Sequence, residues 1–192
     1  MYGTHASIPL LEHPAWSWYN TFDQMFEPLL NPNPSSVLPP LRRLLTALTS
    51  PEIGWDPTQI HLFGWGQGGT TSLEVALDIG KNPLDTSSGK RKRIGSVVSV
   101  CGSLISFPTS DLGIETPVAC FTRTDARGQV GQKELASVKR GFKKVVVLQA
   151  KGGGQNMPRG KDEWQGIMRF WSEVLIREES WKAGGDVYEV VQ

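Results

Sequence analysis

Apolar positions return every three or four residues at Leu41, Leu44, Leu45 and Leu48, which predicts a helix over Val37–Leu48. Pro39 and Pro40 fall in its first turn, where a missing N–H costs nothing. The short apolar run Ile60-His61-Leu62-Phe63 predicts a buried strand. A glycine cluster at 64–69 separates it from a helix over Thr70–Ile79, with Leu73, Ala76 and Leu77 turned inward. Residues 81–93 are polar and are expected as a loop that ends in the basic run Lys90-Arg91-Lys92-Arg93. Strands are expected at Ile94–Cys101, Thr116–Thr122 and Lys144–Gln149, with a helix over Gln132–Phe142. The clearest amphipathic helix covers Lys161–Glu178 and carries Trp164, Ile167, Met168, Trp171, Val174 and Leu175 on one side. Residues 1–37 are rich in proline and aromatics and show little periodicity. After the Gly184-Gly185 break, Val187–Val191 reads as a strand. Short strands alternating with helices predict an α/β protein with a mainly parallel sheet, in one domain over 1–192.

Composition narrows the function classes. The chain has 192 residues, of which 39% are hydrophobic, and 21 glycines raise the apolar share to about the half usual for globular proteins. A net charge of +1 gives no global field to hold nucleic acid or an anionic membrane surface. The sequence contains no apolar run long enough for a membrane helix, and no charged-then-apolar leader opens it. Cys101 and Cys120 each sit in an apolar run, so buried free thiols in a reducing, cytoplasmic setting are expected. Neither lies at a zinc-ligand spacing from another Cys or His, and no metal or cofactor is expected.

The strongest local signal is Ile60-His61-Leu62-Phe63-Gly64-Trp65-Gly66-Gln67-Gly68-Gly69, a strand running through glycines into a helix. Two chemistries use that geometry. Gly64, Gly66 and Gly69 satisfy G-x-G-x-x-G, a dinucleotide cradle at a helix N-terminus. That reading needs an acidic residue at the end of the next strand, and Asp85, at about the right separation, falls in the preceding loop. The alternative is the nucleophile elbow G-x-S-x-G, which lifts a side chain above the sheet on a sharp turn. Gly64-Trp65-Gly66-Gln67-Gly68 fits that frame everywhere except at the centre. Glycine supplies no oxygen and relaxes the strain that a serine must bear there.

The stretch Trp55-Asp56-Pro57-Thr58-Gln59-Ile60-His61-Leu62-Phe63-Gly64-Trp65-Gly66-Gln67-Gly68-Gly69 resembles the elbow of the phospholipase/carboxylesterase group of α/β-hydrolases. That group includes the acyl-protein thioesterases, with G-F-S-Q-G-G after a P-x-x-I strand. Ala15-Trp16-Ser17-Trp18-Tyr19 resembles the group's S-W-[FY] segment, and the match extends over about residues 8–178, leaving 179–192 as a tail. Thr116-Pro117-Val118-Ala119-Cys120-Phe121 resembles the strand before the acid of the triad, which places Asp125 at the acid position. Lys151-Gly152-Gly153-Gly154-Gln155 follows the last strand and places Gln155 where the group keeps its histidine. The resemblance implies an α/β-hydrolase-like three-layer sandwich, with Trp65, Gln67 and Trp18 lining a groove for an acyl or ester ligand.

The departures carry the functional expectation. A serine hydrolase needs a nucleophile, a base and an orienting acid. The matching positions hold Gly66, Gln155 and Asp125, so the acid alone is retained. Glutamine cannot take up a proton near neutral pH. The three histidines, His5, His13 and His61, all precede the elbow turn, and none can stand in for the base. Losing the nucleophile alone costs about six orders of magnitude, or roughly 8 kcal/mol of transition-state stabilisation. Nothing before Trp16 resembles the H-G-x-G-like loop that completes the oxyanion hole, so the first strands of the group are expected to be missing. An exposed sheet edge would follow, covered by a protein partner or another segment. A catalytically inactive binding or regulatory module is therefore expected. An active ester or thioester hydrolase using a substitute such as Thr70 is the alternative, and a dinucleotide-binding protein through Gly64–Gly69 the third reading.

Overall fold

The computed structural model describes residues 4–6, 15–86, 89–124 and 132–175. Strands β1 (Thr4–Ala6) and β2 (Ala15–Ser17) pair antiparallel, His5 opposite Trp16. A 3-10 turn at Pro34–Val37, capped by the Asn33 side chain, leads into helix α1 (Leu38–Leu48). Strand β3 (His61–Trp65) then feeds helix α2 (Gln67–Lys81) through Gly66 alone. Strands β4 (Leu84–Thr86) and β5 (Gly89–Arg91) form a small antiparallel ribbon. The remaining elements are β6 (Ser96–Val100), β7 (Val118–Arg123), α3 (Gln132–Gly141), β8 (Val145–Ala150) and α4 (Gly160–Val174).

The central sheet runs β3-β6-β7-β8 and all its pairings are parallel, with Phe63 beside Val98, Val98 beside Ala119, and Ala119 beside Val146. Parallel strands need crossovers, and α2 and α3 supply two of them. Burial on both faces accounts for the valine-rich β6, whose five residues, Ser96 and Ser99 included, are all buried. Val97 turns to one core, with Val118, Cys120, Leu73, Ala76, Leu77 and Leu45. Val98 and Val100 turn to the other, with Ala119, Phe121, Ile167 and Phe170. Helices α1 and α2 thus cover one face and α4 covers the other, the three layers of an α/β sandwich.

Several local expectations need correction. The polar stretch 81–93 contains the β4–β5 ribbon, because Arg91 opposite Leu84 and Gly89 opposite Thr86 let a polar segment pair with itself. The described part of residues 1–37 holds two strands and a 3-10 turn that periodicity could not reveal in segments of three or four residues. Helix α2 starts three residues earlier than predicted, since glycines that score poorly as helix formers are helical here. Leu44 is 44% exposed and so leaves the buried stripe of α1, and Met168 likewise lies on the solvent side of the last helix, which ends at Val174 so that exposed Leu175 falls just past it. The tail with its expected strand at 187–191 falls outside the described residues. No strand among the described residues pairs with the outer side of β3.

His61 opens β3 half-buried, with Nδ1 2.8 Å from the Ser96 hydroxyl on β6. Burial lowers its pKa below the usual 6.5. The unfolded chain therefore takes up this proton first, and the stability due to neutral His61 is full above about pH 6.5 and declines as the pH falls toward the folded-state value. Replacing His61 with Gln keeps a partner for Ser96 but removes the titration. Urea unfolding between pH 5 and 7.5 should show a shallower pH dependence for His61→Gln than for the wild type.

Candidate functional site

The site is built on the turn between β3 and α2. Gly66 adopts φ +53° and ψ −119°, a conformation that L side chains rarely adopt. Its N–H donates to the Val100 carbonyl at 2.9 Å, and its own carbonyl accepts the first helical bond from Thr70 N–H at 3.0 Å. Both bonds aim the turn upward at the C-terminal edge of the sheet, where α/β proteins place their ligands. A Cβ added to Gly64 would collide with the backbone of Gly68, so glycine there lets α2 pack directly on β3. A Cβ added to Gly66, in contrast, would meet a single neighbour within 4 Å, the Gln155 Oε1 at 3.8 Å.

Gln155 and Gly66 thus face one another although 89 positions separate them in sequence. The Trp65 indole N–H donates to the Gln155 carbonyl at 2.6 Å and ties the loop after β8 to the turn. Trp65 itself is 53% exposed, which leaves an aromatic surface at the rim. On the other flank, Gln67 Oε1 accepts from the Trp18 backbone N–H at 3.0 Å, and the Trp18 indole nitrogen lies beside Gly68. Gly66, Gln155, Trp65, Gln67 and Trp18 are therefore brought together. Asp125, at the acid position, lies outside the described residues. His61 sits at the far end of β3 from Gly66, His5 lies on β1, and His13 is outside the described residues.

The hydroxyls after the turn are engaged or enclosed. Thr70 is buried and its Oγ1 accepts from the Ser103 N–H at 3.2 Å. Ser72 donates to the Gly68 carbonyl at 2.8 Å. Thr71 Oγ1 is buried without a hydrogen-bond partner.

Beside the turn, a cavity of about 190 Å³ opens between the ends of β6 and β7, lined by Cys101, Ser103, Thr122, Arg123 and Gln155. Cys101 was expected in a buried strand. It instead follows β6 at φ +53°, only partly buried, with its thiol 3.6 Å from the Asn156 carbonyl. Burial raises its pKa, partly opposed by the Arg123 charge. Cys120 is buried in β7 and its pKa is pushed up to about 12. Both thiols are free and stay protonated at neutral pH. Among the described residues no group of three His, Cys, Asp or Glu side chains could hold a metal ion.

Sequence reasoning missed Arg123, the last residue of β7. Its side chain is 5% exposed and forms a two-pronged ion pair with Glu163, at 3.1 and 2.7 Å. The same guanidinium donates to the carbonyls of Lys151 (3.1 Å), Asn156 (3.3 Å) and Met157 (2.9 Å), and lies over the Phe121 ring. The hydrogen bonds from Arg123, and then the Arg159 N–H, hold the Glu163 carboxyl below its ordinary pKa. The one sequence signal for Arg123 was a basic residue at the end of a central strand, which by itself does not name Glu163, in the first turn of α4, as the partner.

No protein-family model matches the chain. An uncharacterized hydrolase of Mycosarcoma maydis is 31% identical over 185 residues, covering 95% of this chain and 67% of that protein. Among solved structures, Arabidopsis thaliana SOBER1 superposes with a TM-score of 0.53 at 18% identity, over 85% of this chain and 76% of that one. Zea mays acyl-protein thioesterase 2 gives 0.57 at 15% identity, over 84% and 74%. The chain belongs to the same hydrolase family as the Mycosarcoma maydis protein. Its parallel sheet and elbow are those of an α/β-hydrolase. Within that hydrolase frame, no helix among the described residues is long and apolar enough to cross a membrane.

The two elbow glycines should respond differently to an added methyl group. Gly66→Ala has room and suffers only the strained backbone, a loss of roughly 1–3 kcal/mol. Gly64→Ala drives a methyl into the α2 backbone and should prevent cooperative folding. Equilibrium unfolding in urea compares the two, and equal losses would show that α2 is not packed against Gly64.

Proposed function

We propose that this hydrolase-like chain has no orthodox esterase turnover and acts as a binding or regulatory module for an acyl or ester ligand. The observation that carries the reading is the pairing of Gly66, in a nucleophile's strained conformation, with a glutamine amide across from it. Serine at that turn would aim its oxygen at a base. Here there is no oxygen to aim, and the facing amide accepts no proton. The amide still offers both a donor and an acceptor, while the Trp65 rim offers apolar contact, a combination suited to holding a carbonyl-bearing ligand. Asp125 remains in this reading the retained acid, with no histidine to orient. The open side of β3 is proposed as the face of a protein partner, the setting as cytoplasmic, and nucleic acid as no partner.

An active enzyme with a substitute nucleophile is the second reading. It is disfavoured by the burial of Thr70, whose oxygen is engaged by Ser103. Cys101 lies nearer the cavity, but its raised pKa keeps it a thiol. For a dinucleotide, the space beside Gly64 is filled by Gly68 rather than left for a pyrophosphate.

Two experiments test the proposal. Purified protein should take no label from a fluorophosphonate probe and should leave a panel of short acyl esters and thioesters unhydrolysed. Turnover that persists to homogeneity and disappears in Thr70→Ala would replace the proposal with the second reading.

A further inference from the structure

The loop that presents Gln155 has little reason to hold one shape. Gly152, Gly153 and Gly154 precede it, with Gly152 and Gly154 both at φ +91°, and the segment 151–156 is solvent-exposed. Glycines in that region have the most conformational entropy to lose on ordering. Trp65 fixes the loop at one point, the Gln155 carbonyl. Most of the other fixed points among the described residues belong to a single side chain: Arg123 reaches the carbonyls of Lys151 before Gln155, and of Asn156 and Met157 after it, where the Cys101 thiol shares the Asn156 carbonyl.

We propose that Arg123 is the positioning residue of this site, its guanidinium gripping the 151–157 loop by three carbonyls and so setting Gln155 across from Gly66. All five guanidinium N–H groups have a role: Nε serves Asn156, one terminal nitrogen serves Lys151 and Glu163, and the other serves Met157 and Glu163. The Glu163 carboxylate neutralises the buried cation and orients the planar fork from the first turn of α4. Lysine could keep that ion pair but not the geometry, because its three donors radiate from one point. A bare anchoring role for α4 would need only the Glu163 pair. The three carbonyl contacts go beyond it, and they flank the residue at the base position. The functional meaning of the clamp rests on the reading of Gln155 as that position, whereas the clamp itself does not.

Trp65 supplies a reporter, since its indole N–H bonds to the loop that Arg123 holds. In protein labelled with 5-fluorotryptophan, the Trp65 resonance is assigned by its loss in Trp65→Phe. Arg123→Lys should leave the other six resonances in place but move or broaden that of Trp65, and should speed solvent exchange of the Trp65 indole proton by roughly tenfold or more. Glu163→Gln keeps one hydrogen bond to the fork and the arginine itself, and should move Trp65 less than Arg123→Lys does. An unmoved Trp65 signal in folded Arg123→Lys would overturn the proposal, as would an equal displacement in Glu163→Gln. Should Arg123→Lys not fold, the wild-type protein decides. Separate, slowly exchanging signals for the terminal guanidinium protons support the clamp, and one averaged signal overturns it. None of these readouts depends on turnover, so a failed clamp and an unexpectedly active enzyme are different results.

Discussion

The structure depends on how closely helix α2 can approach strand β3. Every neighbouring feature follows from that contact. Gly64 leaves the space that the Gly68 backbone enters. Side chains at Gly69 and Gly102 would close the same gap from the helix and from the turn after β6. With the helix so near, the chain has one residue in which to turn from strand to helix, and that residue must take a positive φ. The bond from Gly66 N–H to the Val100 carbonyl then locks the turn to the adjacent strand. The elbow is thus a consequence of packing among backbones, independent of any nucleophile on it.

That independence explains what was legible in the sequence. Glycine spacing and the apolar runs on either side state the packing requirement directly, so the strand, the turn, the helix and their order could be read from one segment. The parallel sheet followed from the alternation of elements, and β6 with its valine-rich Ser-Val-Val-Ser-Val run matched a strand buried on both faces. The short pairings were not legible. In β1, β2, β4 and β5 three residues carry no period, and their partners are chosen by neighbouring chain rather than by composition. Leu44 and Met168 show the same limit within helices: periodicity identifies a stripe but not how far along it a neighbour extends.

The site was legible in its geometry and less so in its support. The facing of Gly66 and Gln155 could be anticipated, because both positions were aligned to a known arrangement of strand ends. Arg123 could not, since an arginine at the end of a strand usually reaches solvent, and this one is drawn inward by Phe121, Glu163 and three carbonyls. A buried cation is tolerated only where its donors are all satisfied and its charge is matched. Such a site is rigid by necessity, because any displaced donor would be stranded away from water.

Under the proposed reading, these constraints explain how a hydrolase frame can keep its shape while its chemistry lapses. In an active elbow, serine occupies a backbone conformation that costs about 1–3 kcal/mol, and catalysis is what makes that cost worth retaining. Glycine at position 66 removes the strain without altering the turn, since the turn is imposed by Gly64 against Gly68 rather than by the residue it displays. In the same reading, replacing the base is similarly mild. Gln155 has its main chain held by Trp65 and the flanking carbonyls held by Arg123, so a change of side chain there leaves the loop in place. Strain at the nucleophile and titration at the base can both disappear while the walls remain. What persists is a cavity beside an aromatic rim and an amide facing a glycine turn, the geometry on which the proposed binding role rests.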